Sequence, residues 1–249
     1  MLILKNLFNK KLVVDCFVSE RNAHVYRYAK IDSAEKFIPD WWKKLDKSTF
    51  DFASMDSKNT MKSCMGFVNH FQKGFIMPMW SDLAVKFNQG RIEYKFADGI
   101  SACSSHPVEQ RLGFYMNHTN LKIESPWLIR SEEDVMFNYL PAFWNSEEND
   151  PYQVVPATID FYYQYGIAVN TIMPNRPSEF MIPFGKPMIH LMPLTEREID
   201  LRVHLVSDQE WGVLGTTMSP LTFSKKYNII KRKLKNDTPS CPFNFRKKI

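Results

Sequence analysis

Glycine is scarce in this chain, nine in 249 residues against fifteen prolines, and the glycine-dependent signatures are missing with it. There is no GxGxxG, no GxSxG and no GxxxxGK followed by Ser or Thr, which argues against Rossmann-type dinucleotide binding, serine-elbow hydrolysis and P-loop nucleotide hydrolysis. HExxH and CxxC are absent too. None of the six histidines stands two residues before an Asp or Glu, the pattern that usually announces a two-histidine, one-carboxylate iron site. No apolar run approaches the ~20 residues needed to span a bilayer. The start, MLILKNLFNKKLVV, is interrupted by lysines and has no small-residue cleavage site, so the expectation is a soluble, unsecreted protein. The four cysteines (Cys16, Cys64, Cys103, Cys241) are scattered and read as free thiols of a reducing compartment.

What is present is aromatic mass: 19 Phe, 10 Tyr and 6 Trp, enough to fill a sizeable core. Charge is unevenly spread. Residues 225–249 hold nine Lys/Arg against one acid, a local +8 that leaves −3 on the other 224 residues of a chain whose net charge is +5. A uniformly basic nucleic-acid surface does not fit that pattern. The organisation expected is a β-rich domain over 1–224 and a basic C-terminal helix and tail over 225–249. In that tail Tyr227, Ile230 and Leu234 share one helical face, surrounded by Lys225, Lys226, Lys231, Arg232, Lys233 and Lys235. The helix can dock on the body, or offer its cations to nucleic acid, an acidic protein or a membrane surface.

Periodicity sets the rest. Ser33–Leu45 reads as a short helical segment in which Trp41 and Trp42 cannot share one narrow face. Residues 57–73 carry Met61, Cys64, Met65, Val68 and Phe71 at three- and four-residue spacing and predict a core helix stopped by Gly74. From Phe75 the period becomes two, as in Ile92/Tyr94/Phe96 against Glu93/Lys95. Strands are expected at Phe75–Met79, Leu83–Asn88, Arg91–Ala97, Glu109–Met116, Leu121–Ile129, Val135–Tyr139, Val154–Gln164, Ile167–Met173, Glu179–Ile182, Met188–Met192 and Asp200–Val206. Asn88-Gln89-Gly90-Arg91 signals a hairpin, and Ile182 to Pro187 a turn. Together these predict an α+β, β-rich fold: an antiparallel sandwich or distorted barrel with flanking helices.

A few residues could carry chemistry. Trp80 and Asp82 stand at a strand break, either as a stacking plate and acceptor in a pocket or as a core Trp with a turn-capping carboxylate. His106 and Glu109 could join His190 around a metal ion if their strands are adjacent; the plainer reading is a turn histidine and a strand-starting Glu. His190 in Met188-Ile189-His190-Leu191-Met192 is either a hydrogen-bonded core histidine or a pocket residue. Asp160 is expected on the solvated face of its strand.

The ordered series Phe37-Ile38-Pro39-Asp40-Trp41-Trp42-Lys43-Lys44-Leu45, Cys64-Met65-Gly66, Gly74 to Asp82, Ser105-His106-Pro107 with Glu109-Gln110, Ser125-Pro126-Trp127 and Ile182 to Pro187 spans most of the chain. It resembles an uncharacterised protein family of tailed phages, notably T4-like marine phages, with some bacterial members. The resemblance implies a phage or bacterial origin, in the host cytoplasm or the virion, and transfers no activity, cofactor or catalytic residue. Two functions follow as expectations. One is an accessory or virion-associated protein that binds a protein partner of phage or host. The other is a small metal-dependent enzyme, oxygenase-like, with a pocket of Trp80, Asp82, His106, Glu109 and His190.

Overall fold

The computed structural model describes residues 10–88, 91–106, 117–162 and 165–215. The strand expected at Glu109–Met116, with Glu109, and the basic segment with Lys225, Lys226, Lys231, Arg232, Lys233 and Lys235 lie outside the described residues.

Strands follow in chain order. The first are β1 (Leu12–Ser19), β2 (Asp32–Ser33), β3 (Ser48–Asp51), β4 (Asp56–Asn59), β5 (Phe75–Pro78), β6 (Leu83–Asn88), β7 (Arg91–Phe96) and β8 (Cys103–Ser104). Then come β9 (His118–Ser131), β10 (Met136–Pro141), β11 (Gln153–Val154), β12 (Ala157–Asp160), β13 (Gly166–Pro174), β14 (Ser178–Ile182), β15 (Pro187–Pro193) and β16 (Ile199–Val206). Short helices intervene: α1 (Ala23–Tyr28), α2 (Asp40–Lys44), α3 (Met65–Gln72) and α4 (Asp208–Gly215).

The strands form open sheets, and the β-rich α+β expectation holds without closure into a barrel. One sheet runs β11-β13-β9-β1-β16, with β8 alongside β9; a second runs β12-β10-β15-β5-β2; a third is β14-β6-β7. The hairpin β3–β4 pairs with nothing else among the described residues. Alternation explains how one core serves several sheets. Leu12, Val14, Cys16 and Val18 of β1 are fully buried and meet Phe75 and Met77 of β5 and Ile189 and Leu191 of β15. The opposite face of β1 puts Phe17 into a second cluster with Leu128, Val206 and Leu214, roofed by α4.

The joint between the second and third sheets is built from two motif segments. Chain leaving β5 through Met79–Asp82 runs beside chain leaving β14 through Pro183–Lys186. Met79 N–H donates to Lys186 O at 2.7 Å and Gly185 N–H to Met79 O at 2.8 Å. Gly185 takes φ +79 there, as the proline- and glycine-bearing turn predicts.

Four expectations are corrected. The helix predicted over 57–73 is α3 alone, because Asp56–Asn59 pairs with Ser48–Asp51 and Thr60 caps a single 3-10 turn at Met61–Ser63. It is a cover rather than a core helix, since only Phe71 is buried. Strand β1 had no sequence prediction, and it pairs parallel to β16 in an otherwise antiparallel set. The long strand predicted at Val154–Gln164 is two short ones, broken between Val154 and Ala157, where Pro156 interrupts the ladder. Asp160 is buried rather than solvated, and its carboxylate accepts from Tyr162 N–H at 3.0 Å.

Candidate interaction surface

The described residues of the predicted pocket, Trp80, Asp82, His106 and His190, occupy three separate environments. Trp80 is fully buried in the joint, and its indole N–H donates to Ser101 Oγ at 3.1 Å. Asp82, on the surface of the same joint, accepts from Phe184 N–H at 2.7 Å and so clamps the Pro183–Lys186 turn. His106 follows β8 in the first sheet, where its backbone N–H donates to the buried Asn120 Oδ1 at 3.1 Å. His190 is buried in β15 of the second sheet. Among the described residues, no three His, Cys, Asp or Glu side chains are placed to share a metal ion.

His190 lies opposite Ile76 in the β15–β5 ladder, on the sheet face turned away from the main core. There it meets α3. Its Nε2 lies 2.6 Å from Lys73 O, so the neutral ring donates to that carbonyl. The His70 ring stands edge-on at 4.7 Å between centroids. A niche of about 10 Å³ separates Phe37, His70, Phe71, Trp144 and His190, room for one water at most. Burial, with His70 nearby, lowers the His190 pKa to about 4, and burial lowers that of His70 as well. An unfolded chain would take up that proton nearer 6.5. His190 therefore adds no penalty above 6.5 and costs stability progressively as pH falls toward 4, up to roughly 3 kcal/mol. Thermal melts from pH 7 to 4 should show a flatter decline for His190→Gln than for the wild type. Parallel declines would mean that the ring is already charged in the folded state.

Above the two histidines the surface is aromatic. Pro39 opens α2 and sends the two tryptophans of Asp40–Lys44 apart. Trp42 packs inward, edge-on to Phe71 at 5.2 Å with Lys62 Nζ over its ring at 5.6 Å. Trp41 turns outward, 44% exposed, and its indole N–H donates to Trp144 O at 3.3 Å. Trp144 also meets Phe67 at 4.9 Å and Phe143 at 5.0 Å between centroids. Phe143 is about two-thirds exposed on this shelf, as is Met65 at the start of α3. Asn145 fixes the shelf to the 3-10 turn at Ala34–Phe37, donating to Phe37 O at 2.9 Å.

The β3–β4 hairpin rises from the same base. Thr60 N–H and Ser63 Oγ both donate to Lys47 O, and Lys62 Nζ donates to Lys43 O, tying the hairpin's end to the segment after α2. Phe52 at the hairpin tip is 81% exposed and Met55 73%, with Phe50 against Phe52 at 5.1 Å. Around them Asp40 pairs with Lys43 and Asp51 with Lys58, and residues 40–62 hold four Asp against five Lys, a nearly balanced rim.

Sequence reasoning singled out the Trp41-Trp42 pair but passed over Phe67, His70, Phe143 and Trp144. The signal was there: Phe67, His70 and Phe71 recur at helical spacing, and Phe143-Trp144 follows a proline-ended strand. A second concavity, an open hollow of about 500 Å³, lies against β6, β7 and β14. Its Lys86 stands opposite both Glu93 and Glu179, so its charges are met across the strands. No protein-family model matches this chain, and no curated protein matches it.

Proposed function

We propose that this chain is a non-enzymatic binding protein, a phage-type accessory or virion-associated factor, whose aromatic shelf receives a protein partner. The observation that carries the reading is the cluster in which Trp41, Phe67 and Phe143 each meet the Trp144 ring, with Trp41 and Phe143 exposed, beside a hairpin with Phe50, Phe52 and Met55 at the surface. A side chain that can stay in the core costs nothing to hide, whereas this many exposed rings lose free energy to water unless a partner covers them. Trp, Phe and Met are the residues that protein interfaces concentrate at their centres, and the balanced rim favours a protein over a polyanion. The resemblance to the tailed-phage family supports the accessory role.

The test compares the wild type with Trp41→Ala/Phe143→Ala in affinity capture from phage-infected and uninfected cells, with the exposed Tyr28→Ala as control. A stoichiometric protein kept by wild type and control and lost by the double variant is the expected result. Equal capture by all three would remove the shelf from the function. Metal analysis of chelator-free protein addresses the enzyme reading. Near one iron, zinc or copper per chain, lost on His106→Ala or His190→Ala, would put the metal-dependent enzyme in place of the binding protein.

A further inference from the structure

The two edges of the first sheet differ in a way that has consequences. At one end β11 is two residues long and followed by Pro156, a blunted edge. At the other end β16 runs eight residues in unbroken parallel register with β1. It has no proline, no lysine and no bulge, three of the usual protections of an exposed edge, although it carries Asp200 and Arg202 and α1 packs near it. No described segment pairs with its outer side.

Backbone direction along β16 follows from one bond. Leu12 N–H donates to Glu198 O at 2.8 Å, so even-numbered residues turn their peptide groups toward β1 and odd-numbered ones turn theirs outward. Among the described residues, the outward donors and acceptors of Ile199, Leu201, Val203 and Leu205 meet no backbone partner. Side chains sort the same way: Ile199, Leu201 and Val203 pack on the core, while Asp200, Arg202 and His204 line the opposite face. On that face Arg202 binds Asp200, and His204 Nε2 lies 2.8 Å from Asp15 Oδ1.

We infer that β16 pairs antiparallel with β16 of a second copy of this chain, joining two first sheets across a twofold axis. Only odd-numbered residues can exchange backbone bonds across such an axis, which leaves a few registers. Setting Leu201 opposite its own copy puts Asp200 opposite Arg202 of the second copy and Glu198 opposite its His204. Shifts in one direction oppose Arg202 to its own copy or to His204. The first shift in the other direction opposes Asp200 to its own copy. Cross-strand pairs of unlike charge stabilise a ladder and like pairs weaken it, and the Leu201-centred register is the one that forms unlike pairs with no like pair beside them. That register also keeps Ile199 opposite Val203 of the second copy, so the apolar face continues through the axis. A single strand edge buries less than the ~800 Å² per partner of a durable interface, so the pair dissociates on dilution.

Sedimentation equilibrium on the full chain tests this. The mass should climb from 29.3 kDa toward twice that value as concentration rises. Arg202→Asp should weaken the association at least about tenfold, and Asp200→Arg/Arg202→Asp, which restores unlike pairs, should recover it to within about threefold. Amide exchange on the wild type gives a readout independent of any variant's folding: Leu201 and Val203 should gain protection with concentration. A mass that stays monomeric at every concentration overturns the inference. So does a dimer indifferent to Arg202→Asp, or one that leaves the Leu201 and Val203 amides unprotected.

Discussion

Gly74→Ala is expected to cost about 4 kcal/mol or more, a fall in melting temperature of roughly 10 °C for a chain of this size. Gly74 ends α3 at φ +86, a backbone conformation that L side chains rarely adopt. Strain is the smaller part of the effect. A Cβ at this position would lie 2.2 Å from Leu191 O and 3.1 Å from Met192 Cα. Those are backbone atoms of β15, in the middle of the second sheet, and they cannot swing aside as a side chain would. The chain would have to lift α3 off the sheet, and the Ala34 N–H bond to Gly74 O at 3.2 Å would be disturbed with it. Gly99→Ala separates the two contributions. Gly99 also has positive φ (+68), yet nothing lies within 4 Å of its added Cβ. Its cost should be only the conformational strain, about 1 kcal/mol. Equal losses for the two variants, measured by urea melts, would show that contact with β15 is not what requires glycine at position 74.

Lys186→Met should be nearly as damaging, by about 3–5 kcal/mol. Lys186 Nζ reaches both carboxylate oxygens of Asp150, at 2.6 and 2.7 Å, with the two side chains only 9% and 16% exposed. The same ammonium lies over the Tyr152 ring at 5.6 Å, while that ring stacks on Phe180. Removing the cation strands a carboxylate in a poorly hydrated place at the joint where two sheets meet. The penalty is for the orphaned charge, not for the loss of a strong net attraction. Lys186→Met/Asp150→Leu should therefore recover most of the stability, since both charged groups leave together. A double variant as unstable as the single one would mean that the pair contributes through geometry that apolar packing does not supply.

Much of the strand content was legible because alternation is local. Leu83–Asn88 and Arg91–Phe96 were readable as a hairpin from Asn88-Gln89-Gly90-Arg91 between two alternating runs, and they pair in the expected register, Asn88 opposite Arg91. The turn through Gly185 was readable for the same reason. Strand β1 was not, because Val13 and Phe17 interleave with Leu12, Val14, Cys16 and Val18 and leave an apolar run without a clear period of two. The 57–73 helix failed from the opposite cause. Met61, Cys64 and Val68 match a helical period, but Ser57–Asn59 belongs to a hairpin whose partner, Ser48–Asp51, has no periodicity of its own, and Met61–Ser63 is a separate 3-10 turn.

The candidate site shows the same division. Trp80, Asp82 and His190 were recognisable as unusual from their neighbours in the sequence, each compatible with a structural role as well as a functional one. No sequence pattern could show that Trp80 would find Ser101, that Asp82 would hold Phe184 N–H, or that His190 would sit against His70 and Lys73 O. The outward turn of Trp41 likewise depends on Trp144, more than a hundred positions away.

Composition, charge segregation, the absent catalytic signatures and the period-two runs are properties of short windows, and the sequence alone was sufficient for them. Which strands become neighbours is set by loop closure and burial summed over the whole chain. The parallel union of β1 with β16, the aromatic shelf gathered from α2, α3 and the segment after β10, and the place of β16 at the end of the first sheet among the described residues were therefore decided only by the tertiary structure.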